Sequence, residues 1–323
     1  MNHKLLYFPY ISVPQSTWTT HSILYWDSVG AIVPQIYKEK PNRLEKYMKG
    51  LVERELVEQV FPDNHLYRAT NFDESFLRLT EHKSFHLDER KAAFQRGERF
   101  QIHIQKTGYI LMKELIRMNI AKRRNWEWCY VEAKTAKLFM MYLASVIGKE
   151  GGYTPATNSA ENIDLSIQQK GLPLYTQRIR GRFLRDLMPY PINPDLDKLK
   201  IFKEKHYDKL KHFRILLEQE VLKIASIKDK ELRNATYELK KEEILYRKEV
   251  ILSELSRSNF GKITFGTLFG LAGASISFAA DQKTSALFSL GNAIYSAFQG
   301  YDNPELSKDY AYLALIDHKL KSK

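Results

Sequence analysis

The chain has 323 residues, 44% of them apolar, 12% aromatic and 27% charged, a composition that excludes a collagen-like, mucin-like or wholly disordered chain. Its length accommodates two modules, or one large body with an appendage, each able to bury a core. Fifty Lys and Arg against 38 Asp and Glu give a net charge of +12, which attracts phosphates or acidic partners without naming one.

The start, MNHKLLYFPYISVP, is interrupted by Pro9 and Pro14 and lacks the continuous apolar stretch and small-residue cleavage site of a secretory signal. Cys129 stands alone, so no intrachain disulfide forms and a reducing compartment is expected. The apolar runs at 5–8, 23–26 and 30–33 predict strands. Each run is continuous rather than alternating, so these strands are expected to be covered on both faces, in a sheet flanked by helices.

Leu44, Tyr47, Met48, Leu51, Val52, Leu56 and Val60 recur at helical steps and predict a helix between Pro41 and Pro62. Residues 85–97 are dominated by charge and read as an exposed helix or loop. A further amphipathic helix is expected over 102–120, and a stronger one from Ala133 to its end at Gly148. The run GKEGGYTPATNS then reads as a mobile, ligand-facing loop, because Gly151 and Gly152 relax the backbone and Pro155 stops a helix.

The run PYPINP reads as an extended connector, followed by Asp195 as the N-cap of a helix over 195–226. A second long helix, from about 229 to 257, is expected to fold back on it as an antiparallel hairpin. Residues 263–280 and 284–301 carry no charge. A helix over 263–280 would be about 27 Å long, just short of a hydrocarbon core of about 30 Å. Gly266 and Gly270 form a GxxxG pair that Gly273 extends. A hairpin that buries its small-residue face against the rest of the protein is preferred to membrane contact or a multi-copy pore, since few large apolar residues drive insertion. The stretch from Pro304 onward is expected to be a short solvated helix with a basic end.

Chemistry-bearing motifs are sparse. His82 and His86 have helical metal-pair spacing, but Lys83 replaces the Glu of a zincin, so an ordinary solvated pair is the better reading. Glu132 and Lys134 are similar to half of a nuclease motif without its partner Asp, and a helix-surface ion pair is the better reading. No P-loop, serine elbow, kinase set or dinucleotide fingerprint is present. Arg178, Arg180, Arg182 and Arg185 fall within eight residues. As a strand, the first three would share a face suited to phosphates. Together with Lys122, Arg123 and Arg124 they are candidate ligands for a nucleotide or nucleic acid, the alternative being a solvated run or pairs with acidic helices. Tyr25, Trp26, Asp27, Gly151 and Gly152 are a candidate cleft, the alternative being a buried Trp beside a capping Asp.

The segments YFPYISVP, LYWD at 24–27, IVP at 32–34, IHIQK at 102–106, TPATN at 154–158 and NPDLDKLKIFKEKHYDKLKHFR occur in order. In these the chain resembles an uncharacterised bacterial family, a domain of unknown function, over most of residues 5–220. The resemblance implies no activity and no catalytic residue; it implies a setting among bacterial anti-phage genes.

The expected fold is α+β and predominantly helical: a mixed α/β module at 1–188, a long helical hairpin at 189–258, and a Gly/Ala-rich apolar hairpin with a basic helix at 259–323. The expected role is non-enzymatic recognition or assembly in a cytoplasmic defence-type system, as a homo-oligomer or with a partner protein. No cofactor or metal is called for. One rival is a membrane-disrupting effector that uses residues 263–300 and associates with a membrane on activation. The other is a nucleotide- or nucleic-acid-processing enzyme with an unrecognised site.

Overall fold

Strand β1 (Lys4–Tyr7) and strand β2 (Ser28–Ile32) form where the first and third apolar runs place them. The run at 23–26 instead ends helix α1 (Thr17–Tyr25). Every residue of α1 from Thr19 to Tyr25 is buried, so the helix has no polar stripe, and a short apolar run alone does not separate strand from helix. The computed structural model describes residues 3–67, 69, 71–158, 172–188 and 195–257, with positions 312, 313 and 316. The architecture is α+β and predominantly helical, with a small parallel and a small antiparallel sheet.

The chain divides into two compact units: Met1–Leu174 with Ile192–Lys200, and Tyr175–Pro191 with Ile201–Lys323. The division falls earlier than the expected boundary at 188, because the helix that begins at Leu172 packs with the hairpin.

In the first unit, helices α2 (Ile36–Glu39) and α3 (Lys46–Glu53) lead to strand β3 (Glu58–Val60). The helix expected up to Pro62 thus stops at Glu53, and Val60 belongs to a strand. Helices α4 (Asp63–Leu66), α5 (Phe72–Glu81) and α6 (Leu87–Gln95) follow. The stretch expected to be helical from 102 opens as strand β4 (Arg99–His103) and a 3-10 turn (Ile104–Lys106), and only helix α7 (Tyr109–Arg117) fulfils that expectation. Strands β5 (Ala121–Arg123) and β6 (Trp128–Glu132) then run directly into helix α8 (Ala133–Gly151) and strand β7 (Tyr153–Ala156).

The run GKEGGYTPATNS is therefore largely ordered structure rather than a loop. Gly148 to Gly151 complete α8, Gly152 closes it with φ 70°, and the next four residues pair with β1. A left-handed cap favours a residue without Cβ, and a single glycine there turns the helix straight into the strand.

The parallel sheet has the order β3-β2-β1-β7, with Lys4 opposite Ser28 on one side and Tyr153 on the other. The antiparallel sheet has the order β4-β6-β5. Helix α8 packs against both sheets. Its Ala136, Phe139, Met140, Leu143 and Ile147 form one core with Leu6, Ile32 and Val60 of the first sheet and Ile102, Cys129 and Val131 of the second. Phe76 of α5 meets Phe139 edge to face at 5.4 Å. Leu5, Leu6 and Tyr7 are all buried, so β1 is covered on both faces as its unbroken apolar run demands.

In the second unit, helix α9 (Leu172–Leu187) covers the run TQRIRGRFLRD, so the strand on which its arginines would share a face does not form. Ile179, Phe183 and Leu187 are buried four residues apart, and that helical row overrides the alternation of the arginines. Helix α10 (Leu196–Lys205), which belongs to the first unit up to Lys200 and to the second from Ile201, is capped by Asp195, whose Oδ1 accepts from Asp197 and Lys198 N–H at 3.0 and 3.2 Å. The single long helix expected from 195 is broken at His206 (φ −114°), after which α11 (Tyr207–Ser226) runs on. Helix α12 (Lys230–Arg257) folds back on α11, with Lys240 Nζ 3.8 Å from Glu220. Tyr312, Leu313 and Ile316 are helical and buried, with Tyr312 5.9 Å from Phe213. That face of the terminal segment is not solvated as expected. The connector PYPINP and the apolar stretch with Gly266, Gly270 and Gly273 lie outside the described residues. Among the described residues no helix is long and apolar enough to cross a membrane.

Candidate functional site

Parallel strands present their carboxyl ends on one side of a sheet. A crevice opens there where the winding reverses. Here the chain winds from β1 to β2 to β3 and then returns to the other side of β1 as β7. The segment that leaves β1, Pro9 to Gln15, lines a pocket of about 380 Å³. The remaining walls come from the connection after β2, through Tyr37, Arg43, Glu45 and Tyr47, and from the antiparallel sheet, through Phe100, Ile102, His103 and Trp128, with Lys106 and Met140 beside them.

Aromatic rings dominate the lining and hold one another. Tyr10 lies 5.4 Å from Phe100. His103 meets Trp128 edge-on at 5.0 Å and Tyr37 at 6.3 Å. The Arg43 guanidinium sits 5.6 Å from the centre of the Tyr37 ring and grips Glu127 through two hydrogen bonds of 2.6 and 2.7 Å. The Arg43 bonds hold the Glu127 carboxyl below the ordinary carboxylate range, and the fork fixes the planar guanidinium at the rim.

Two donors stand deeper. His103, 2% exposed, accepts the Gln105 backbone N–H at Nδ1, 3.2 Å away. Burial pushes its pKa down to about 4, so near neutral pH the ring is uncharged and its single proton sits on Nε2. That Nε2 is buried and has no hydrogen-bond partner among the described residues. Lys106, 3% exposed, donates from Nζ to the Pro9 carbonyl at 3.2 Å. Burial lowers its pKa to about 7. Strongly shifted groups at the wall of a crevice make it a candidate site.

The residues singled out in the sequence are dispersed. Lys122 and Arg123 are exposed on β5, and Arg124, just after it, bonds Gln101 at the pocket wall and lies 5.7 Å from the Tyr130 ring. In the second unit, Arg180 pairs with Glu218 at 2.7 Å. Arg182 pairs with Glu238 at 2.9 Å and stacks 3.8 Å over Tyr237. Arg185 meets its neighbour Asp186 at 3.1 Å, and Arg178 is exposed on the same helix. On a helix these side chains fan out, so the shared phosphate-gripping face expected of a strand does not form.

Nor does the expected cleft assemble. Tyr25 and Trp26 are 0% and 5% exposed in the core, and neither lines the pocket. Asp27 accepts the His3 N–H at 2.7 Å, while Gly151 and Gly152 end α8. His82 and His86 flank a 3-10 turn rather than sharing a helix. Among the described residues no group of three His, Cys, Asp or Glu is placed to hold a metal ion. Glu132 is the N-cap of α8, accepting from Lys134 and Thr135 N–H at 2.9 and 2.7 Å.

The pocket residues His103 and Lys106 went unmarked in the sequence because neither belongs to a motif of known chemistry. The signal that holds them is IHIQK, where a strand gives way to a 3-10 turn. With YFPYISVP, whose Pro9 to Pro14 also line the pocket, it carries only the family resemblance. Set against known proteins, the chain matches no protein-family model, no curated protein and no solved structure.

Proposed function

We propose that the chain is a recognition protein whose first unit captures a small molecule with a planar ring in the pocket beside β1. The observation that carries this reading is the ring-lined crevice where the chain leaves β1, with His103 and Lys106 in its wall. Its volume is in the range that holds small ligands, roughly 300–1,000 Å³. Its mix of rings and a few fixed donors suits a flat molecule with polar edges. The His103 ring, with Nδ1 engaged by the backbone, is a stationary donor rather than a proton shuttle, which favours capture over turnover. In the defence setting that the resemblance implies, such capture would be the sensing step.

Titration of the full chain with a panel of nucleosides, nucleotides and aromatic acids tests this, read by tryptophan emission with Trp128→Phe as the blank. A saturable change that the blank lacks is expected for at least one compound, and Tyr37→Ala is expected to weaken it about tenfold or more. Emission unchanged by every compound at millimolar concentration would overturn the reading.

A further inference from the structure

His103 ends β4 and caps the 3-10 turn of which Lys106 is the last residue, and both line the same pocket. Each has donor capacity that the protein leaves unspent. Nε2–H of His103 has no acceptor among the described residues. The Lys106 ammonium carries three donors, and the hydrogen bond it makes among the described residues goes to a neutral carbonyl.

The surrounding charges do not supply a counter-ion. Glu127 is taken by Arg43 in a two-bond fork. Glu45, from the start of α3, is exposed at the rim. The other titratable groups on the lining are the phenols of Tyr10, Tyr37 and Tyr47, and burial raises the pKa of the last two. Only burial shifts Lys106; no neighbouring carboxylate contributes. A buried ammonium without a counter-ion is costly and sheds its proton. An anion brought into the pocket reverses that cost.

We propose that the ligand carries an anionic group, a phosphate or a carboxylate, that seats on Lys106 Nζ and His103 Nε2, and that its capture draws a proton onto Lys106. This rests on the pocket being a ligand site. The balance is simple: the anion enters, one proton moves from solvent to the Lys106 amine, and no covalent bond is made.

The test follows the Lys106 side-chain carbon resonances of the full, lysine-labelled chain through a pH series, assigned with Lys106→Arg. Three probes are compared: AMP for phosphate, benzoate for carboxylate and adenosine as the neutral ring. The expected result is that AMP, benzoate or both move the Lys106 titration from about 7 to above about 9, and that adenosine does not. Which anion acts tells phosphate from carboxylate. Lys106→Gln is expected to lose at least tenfold in affinity for the active anion, while Lys106→Arg keeps most of it. A probe that changes Trp128 emission yet leaves the Lys106 titration in place overturns the anion assignment and spares the pocket. Probes that move neither Trp128 nor Lys106 overturn both.

Discussion

Arg90 Nη1 lies 3.1 Å from Glu132 Oε2, on the carboxylate that also caps helix α8. One buried side chain therefore ties α6 to the start of the helix that both sheets pack on. Glu132→Gln leaves the largely buried Arg90 without its counter-charge and is expected to cost about 3 kcal/mol, measured by urea denaturation. Burial raises the Glu132 pKa, but Thr135, two backbone N–H groups and Arg90 together outweigh it and hold the carboxyl below its ordinary value. A carboxyl lowered in the fold stabilises above its unfolded value and loses that stability as pH falls through the folded one. The gap between the parent chain and Glu132→Gln is thus expected to close as the pH drops below about 4.

Lys106 gives a pH dependence of the opposite reach. In the unfolded chain it holds its proton up to 10.5, in the fold only up to about 7. Between these values the unfolded chain binds more protons, so stability rises as pH is raised across that window. Lys106→Met is expected to stabilise the protein at pH 7, by about 5 kcal/mol at most, and to flatten the rise. A variant as steeply pH-dependent as the parent in urea titrations would count against the burial of this amine.

His103 acts on the acid side. Its folded pKa of about 4 lies below the ordinary 6.5, so the unfolded chain takes up the proton first and stability is lost as pH falls from 6.5 towards 4. His103→Gln keeps a donor and cannot titrate. It is expected to remove part of that loss, as read from denaturation midpoints at pH 7 and pH 4.5.

Gly108 is the N-cap residue of helix α7, and Asp73 of α5 accepts the Leu111 N–H at 3.2 Å, a cap bond supplied by another helix. A Cβ at position 108 would collide with the Asp73 carboxylate. Gly108→Ala is expected to cost about 1–3 kcal/mol, and Asp73→Ala about 1 kcal/mol through the lost cap. The double variant should cost less than the sum, because the methyl has no carboxylate to meet.

In the second unit, Arg182 is spent on Tyr237, Asn234 and Glu238 of α12, and Arg180 on Glu218 of α11. Arg182→Ala is expected to cost about 1 kcal/mol of stability. The double Arg180→Gln, Arg182→Gln variant is expected to change the salt dependence of DNA binding by less than the slope of one phosphate contact. A larger drop in slope would restore the phosphate surface that the alternating arginines suggest.

The sequence disclosed the parts whose pattern is carried by local packing. β1, β2, the core of α8, the Asp195 cap and the α11–α12 hairpin all follow from apolar spacing and cap chemistry. It misled where burial was complete or where two periods coincided. α1 has no polar face, so its end reads as a strand, and the two-residue spacing of Arg178, Arg180 and Arg182 masks the helical row of Ile179, Phe183 and Leu187. The pocket was harder still. Pro9, Tyr37, His103 and Trp128 lie far apart in the chain and meet where the segments leaving β1 and β2 face the antiparallel sheet. No local rule reports such a meeting.

Strand β1 is hydrogen-bonded on both edges, yet its two partners emerge from the ribosome at very different times. β2 is complete at Ile32, whereas β7 ends only at Ala156. At about 5–20 residues per second, one apolar margin of the nascent sheet stays open for roughly 6–25 seconds. Throughout that interval one edge of Leu5 to Tyr7 lacks the backbone partner that β7 supplies, an open margin of the kind that invites pairing with another strand.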